Sequence, residues 1–192
     1  SALSPASDVL GGSQLGKLGA VADLSAGAAK LPKVKARTWL LADATTGEVL
    51  AAKNPHKARR PASTLKTLTA LTLLPQLDPD DTWTGTARAQ NTYGSKAGIR
   101  KGREYTIDEL FAGLLLPSGN DAAIALAQAH STVSTTVAEM NQVARDLQAY
   151  NTTAKNPSGL DAKGQFSTAY DLALIGRAAI ARDDFVTYAG AK

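Results

Sequence analysis

Residues 38–52 read Thr38-Trp39-Leu40-Leu41-Ala42-Asp43, Ala44-Thr45-Thr46-Gly47 and Glu48-Val49-Leu50-Ala51-Ala52, and this stretch decides how the rest of the chain is sorted. The first and third pieces are short, mainly apolar runs of strand length. The middle piece ends in Gly47, where a positive φ costs little. Together they predict a β-hairpin. Downstream the pattern turns helical. A helix is expected after Pro61, running to about Leu74 and stopped by Pro75. Residues 78–102 carry scattered Gly, Pro and Asn and read as irregular. One hairpin followed mostly by helices, with no internal repeat, gives an α+β class.

The later helices announce their own starts. Thr106 and Glu109 form a Thr-x-x-Glu capping box ahead of the apolar run 110–116. Pro117-Ser118-Gly119-Asn120 interrupts that run, and an alanine-rich helix follows over 121–130. Another helix is expected over 136–150, then a loop at Asn156-Pro157-Ser158-Gly159. Thr168 with Asp171 three residues on opens a last helix to about Ala181. Residues 1–35 are rich in Ala, Gly and Ser and read as an N-terminal tail or linker, with the ordered domain expected over 36–192. No basic start, apolar block and cleavage site is visible in that tail.

Composition narrows the function classes. At 192 residues, with 44% hydrophobic and 20% charged, the chain can bury one domain's core, which argues against wholesale disorder. No apolar run approaches the roughly 18 residues that a spanning helix needs. The absence of cysteine excludes a disulfide framework, a thiol nucleophile and a thiolate metal site. A net charge of +4 and a pI near 9.3 would favour any anionic polymer. Aromatics are 5% and none interleaves with a basic stripe, so no nucleic acid is expected as a partner. The basic stretch His56-Lys57-Ala58-Arg59-Arg60 reads as a solvated loop. Neither His56 nor His130 has a third partner at ligand or triad spacing, so both read as surface residues and no metal site is expected. Trp39 and Trp83 read as packing residues, and Lys33 and Lys35 as part of the solvated linker.

Chemistry enters with Ser63-Thr64-Leu65-Lys66. Positions i and i+3 share a helical face, so the Lys66 amine can reach the Ser63 hydroxyl. Serine needs a base to take its proton, and lysine can be that base only when neutral. Burial and the positive end of the helix dipole both disfavour the ammonium. The helix terminus also offers N–H groups to a developing oxyanion. Twelve serines and twelve lysines in 192 positions produce roughly 0.75 such pairs by chance, so the tetrad alone decides nothing. Ser118-Gly119-Asn120 adds weight. A polar triplet wedged between apolar helices must find partners, and a cleft supplies them. Ser118 or Asn120 could equally cap the helix that follows, and the two readings are compatible.

Ser63-x-x-Lys66 followed by Ser118-x-Asn120 resembles the first two of three motifs of penicillin-binding proteins and serine β-lactamases. The flanking text narrows the likeness. Arg60-Pro61-Ala62-Ser63-Thr64-Leu65-Lys66, Tyr105-Thr106-Ile107-Asp108-Glu109-Leu110, Gly113-Leu114-Leu115-Leu116-Pro117-Ser118-Gly119-Asn120-Asp121-Ala122-Ala123 and Pro157-Ser158-Gly159-Leu160-Asp161 are all similar to D-alanyl-D-alanine carboxypeptidases. The likeness spans about 36–188. It implies the penicillin-binding-protein fold and a serine carboxypeptidase that removes the terminal D-alanine of peptidoglycan stem peptides through an acyl-enzyme. Penicillins and other β-lactams would acylate the same serine.

On this resemblance Ser63 is the nucleophile and one oxyanion donor, and Lys66 the general base. Ser118 relays protons to the leaving D-alanine, while Asn120 bonds Lys66 and the substrate's peptide carbonyl. Ser63, Ser118 and Asn120 would contact the substrate. No metal or organic cofactor is implied. The family places such an enzyme outside the cytoplasm, in the bacterial envelope or secreted, with membrane attachment left open. A class A β-lactamase is the nearest rival, but it needs a loop glutamate, and after Asn120 only Glu139 remains, inside a helical pattern.

The family's third motif, Lys-Thr-Gly on a late strand, occurs nowhere in these residues. In relatives that strand supplies the second oxyanion N–H and the groups that hold the substrate carboxylate. Loss of one oxyanion donor costs about 10²–10³ in rate. The expectation is therefore a fragment, truncation or nicked chain lacking the C-terminal strands of the sheet, and a poor enzyme as written. The alternative function is a non-catalytic module that binds wall peptides or β-lactams. If the chain ends at Lys192, the open sheet edge would also favour self-association.

Overall fold

In the computed structural model, residues 12–22, 24 and 27–191 are described. The hairpin forms from β2 (Trp39–Ala42) and β3 (Val49–Lys53), antiparallel, with Leu40 opposite Ala52 and an irregularity between Leu41 and Ala42. Asp43 shapes its turn by accepting N–H bonds from Thr45 at 2.8 Å and Thr46 at 2.7 Å. β3 also pairs with β1 (Ala20–Ala22), giving a three-stranded sheet in the order β1-β3-β2. That strand comes from the stretch that composition set aside as a tail. Two of its three residues are alanine, which carries little strand propensity, and pairing with β3 supplies what propensity does not.

The expected helix after Pro61 has two parts, a 3-10 turn over Ala62–Leu65 and then α1 (Lys66–Leu73). α1 is central to the helical layer. Leu65 and Leu68 pack with Met140 and Ala144 of α5 (Val133–Asp146) and Ile175 of α6 (Ala169–Ile180). Ala70 and Leu73 join a second core with α3 (Ile107–Leu115) and α4 (Asn120–His130). The 78–102 stretch is less irregular than its composition suggests. β4 (Thr82–Thr84) pairs with β5 (Glu104–Thr106), and Thr86 caps the short α2 (Ala87–Gln90). A final helix, α7 (Asp183–Gly190), follows α6 and buries Phe185 in the second core. α+β is thus the class observed.

Local chemistry explains where these helices begin. The Thr106 hydroxyl accepts the Glu109 N–H at 3.1 Å, and the Glu109 carboxylate accepts the Thr106 N–H at 3.0 Å, completing the expected box. Thr168 caps α6 as the sequence suggests. α5 starts at Val133, three residues before the expected position, because Thr132 caps it. In α4, Ala122, Ala123, Ala125 and Ala127 are all fully buried, so alanine's small size lets neighbouring helices close on every side.

Candidate active site

Ser63 lies exposed in the 3-10 turn, one turn ahead of Lys66 at the head of α1, which is only 2% exposed. The Lys66 Nζ reaches four oxygens: Ser63 Oγ at 3.0 Å, Ser118 Oγ at 3.3 Å, Asn120 Oδ1 at 2.7 Å and the Ser158 carbonyl at 2.9 Å. The two polar motifs meet in space, with Lys66 between them. Removal from water lowers the Lys66 pKa to about 8, while the more distant Asp121 carboxylate opposes that shift.

Each partner is held by its own element. Ser118 sits between α3 and α4 with φ +57°, and Ala62, immediately before Ser63, has φ +50°. A left-handed conformation costs a non-glycine residue of order 1 kcal/mol, and here it flanks the cluster on both sides. Asn120 opens α4, where its N–H donates to Ser95 O at 2.7 Å and its Nδ2 to Tyr93 O at 2.8 Å. The helix cap is Gly119, with no side-chain bond, so neither Ser118 nor Asn120 serves as the cap and both turn their side chains to Lys66.

The Ser158 carbonyl was not legible as a site atom. It is a backbone group in the loop at Asn156-Pro157-Ser158-Gly159, and only the turn-like composition marked the place. Asn156 Oδ1 folds this loop by accepting Ser158 N at 3.1 Å, Ser158 Oγ at 3.0 Å and Gly159 N at 2.9 Å. Thr69 on α1 ties it down through a 2.7 Å bond to Pro157 O. Gly159 has φ +81°, and a Cβ there would overlap Ala62 O. Only glycine lets this loop press onto the segment that carries Ser63.

Residues read as peripheral mostly remain so. His56 is exposed, its ring centroid 4.7 Å from that of Tyr170 with the planes tilted by 44°. His130, expected at the surface, is instead half-buried at the end of α4 and 2.8 Å from Glu139 of α5. Trp83 packs against the second core. Arg59 is partly covered, its backbone bridged to Ser167, while the other residues of the basic stretch are exposed. A cavity of about 600 Å³ lies away from this cluster, between the β2–β3 turn, Leu147 and α6. Its one charged side chain, Arg177, is engaged by the Ala44 and Thr45 carbonyls, and no base adjoins it.

Comparison with known proteins places the chain in a family. A family model described as D-alanyl-D-alanine carboxypeptidase matches residues 25–192. The curated D-alanyl-D-alanine carboxypeptidase DacB2 of Mycobacterium tuberculosis is 43% identical over 162 residues, covering 83% of this chain and 56% of the relative. DacF of Bacillus subtilis, of the same description, is 32% identical over 162 residues, covering 81% of this chain and 42% of the relative. A crystal structure of a D-alanyl-D-alanine carboxypeptidase from M. tuberculosis superposes with a TM-score of 0.81 at 42% identity, covering 85% of this chain and 62% of that one. The chain spans about half the length of the curated relatives it matches.

Proposed function

This chain belongs to the D-alanyl-D-alanine carboxypeptidase family, and from that premise we propose that it carries the nucleophile and base of a serine enzyme trimming peptidoglycan stem peptides. The observation that carries the reading is the set of bonds at Lys66 Nζ. Asn120 Oδ1 and the Ser158 carbonyl can only accept hydrogen bonds. They therefore consume both N–H groups of a neutral amine and leave its lone pair for the serine hydroxyls. Ser63 Oγ, at 3.0 Å, is within reach of that lone pair.

The reaction follows from this arrangement. Ser63 Oγ attacks the carbonyl carbon between the two terminal D-alanines, and its proton passes to Lys66 Nζ. The oxyanion that forms accepts the Ser63 N–H at the first turn of the 3-10 helix. When the C–N bond breaks, the departing D-alanine amine takes a proton from Lys66 through Ser118, 3.3 Å away. Water then attacks the ester at Ser63, passing a proton to Lys66, which hands it on to Ser63 Oγ as the ester C–O bond breaks, releasing the shortened peptide and restoring the hydroxyl and the neutral amine. A β-lactam would enter by the same first step, its ring amide taking the place of the peptide bond. A peptidoglycan substrate and the family both support work in the extracytoplasmic envelope.

The alternative, a module that binds wall peptides or β-lactams without turnover, differs from this reading in leaving Ser63 unacylated. A class A β-lactamase is disfavoured because Glu139 lies within α5, paired to His130. Intact-mass spectrometry before and after excess penicillin, with Ser63→Ala as control, tests the proposal. One adduct, lost in the variant, is the expected result. A folded chain that takes no adduct would overturn the acyl-transfer reading and leave the binding module.

A further inference from the structure

Asp121 is fully buried beside Asn120, and the reaction above gives it no task. None of the ion pairs among the described residues includes it. Its carboxylate instead gathers consecutive backbone N–H groups from a distant strip: Ala97 at 2.8 Å, Gly98 at 2.9 Å and Ile99 at 3.0 Å. A fourth bond, from Ala122 N at 2.9 Å, ties the carboxylate to its own helix. Just upstream, the same strip supplies both carbonyls that hold Asn120, Ser95 O to its N–H and Tyr93 O to its Nδ2. A Cβ added to Gly94 would stand 2.6 Å from Asn120 Nδ2, so the strip passes hard against the carboxamide.

A carboxamide has two faces that differ only in which atom is donor and which acceptor. With Nδ2 on the Tyr93 carbonyl, Oδ1 faces Lys66. Turned over, it would set an oxygen against a carbonyl and present N–H groups to the amine. The Tyr93 carbonyl therefore sorts the amide, provided that the strip stays in place. We propose that Asp121 is a positioning residue: by gripping the N–H groups of residues 97–99 it holds the Tyr93 carbonyl, which orients Asn120 so that its oxygen engages Lys66. Asparagine at 121 could not do this, because its NH₂ would meet N–H donors where a second oxygen now accepts them.

The rate effect rests on the acyl-transfer reading, whereas the effect on Asn120 does not. The test compares the unaltered chain with Asp121→Asn, Gly94→Ala, Asn120→Ala and the Asn120→Ala/Asp121→Asn double variant. Misplacement by about 1 Å costs roughly 10² in rate. Asp121→Asn should therefore slow penicillin acylation by about that factor, and Gly94→Ala should do likewise from the other side of the contact. In the Asn120→Ala background, Asp121→Asn should cost less than about twofold, because its route is already gone. Multiplying losses in the double variant would overturn the proposal, since a purely structural role predicts them. If the unaltered chain takes no penicillin, the acyl-transfer reading fails, and hydrogen exchange at the Asn120 side-chain amide judges the positioning role by itself. Those protons should exchange slowly in the unaltered chain and quickly in Asp121→Asn. Equal rates would refute it. Should Asp121→Asn not fold, Gly94→Ala decides: wild-type acylation and wild-type Asn120 exchange in that variant would end the proposal.

Discussion

Raising the pH from 7 to 9 should speed penicillin acylation of Ser63 about tenfold and then level off. With Lys66 as the proposed base, only its neutral form accepts the serine proton. With its pKa lowered to about 8 by burial, the neutral fraction is about 0.1 at pH 7 and about 0.9 at pH 9. A solvated lysine near 10.5 would instead climb about a hundredfold over the same interval and go on rising. The plateau, more than the slope, reports the burial. The same shift acts on stability, with a definite sign. Between about pH 8 and 10.5 the unfolded chain keeps the Lys66 proton that the folded chain has released, so stability increases with pH there. The cost of burying the ammonium is fully present below pH 8, and it is at most about 3 kcal/mol. Quenched mass-spectrometric time courses from pH 6 to 10, with Ser63→Ala as blank, measure the first effect. Urea unfolding of the chain against Lys66→Met over the same range measures the second. A rate that is flat across this range, or that still climbs steeply at pH 10, would refute the assignment of Lys66 as a buried neutral base.

Two further outcomes follow from the packing. Gly159→Ala forces a Cβ into Ala62 O at a positive φ; it should lower stability by about 2–5 kcal/mol and penicillin capture by more than that loss explains, as Ser158 O leaves Lys66. Wild-type acylation by this variant would show that the Ser158 carbonyl is dispensable. Met140→Ala empties a fully buried position between α5 and α1 and should cost about 2–5 kcal/mol in urea unfolding, with less than 1 kcal/mol contradicting the packing of α5 on α1.

Much of the site is legible in the sequence because side chains do its chemistry. Ser63 and Lys66 share a helical face by spacing alone, and the Ser118–Asn120 triplet stands out as polar text inside an apolar run. The hairpin and the Thr106 and Thr168 caps were equally readable, since each depends on neighbours a few residues apart. What escaped depends on distant backbone. The Ser158 carbonyl exists in every residue's main chain, so nothing in its identity marks it. Asp121 reads as an ordinary acidic residue in a helix's first turn until the strip at 97–99 is seen to close on it. β1 and β4 are three-residue strands whose partners lie some 20–30 residues away, and such short strands form by pairing rather than by pattern. α7 begins with Asp183 and Asp184 after a two-residue break, too close to the end of α6 for periodicity to separate the two.

The partners of Lys66 lie 3, 52, 54 and 92 residues from it along the chain. At about 5–20 residues per second, a ribosome completes Ser158 roughly 5–18 s after Lys66. Before then Asn120 can meet the amine, but the second obligate acceptor does not exist. Until that last segment docks, Ser63 is an ordinary alcohol, and closing so long a loop is among the slower steps of folding. Trapping by a β-lactam therefore times the completion of the tertiary structure rather than the appearance of its motifs. A nascent chain should stay inert to the drug at least until Ser158 has been made and has docked.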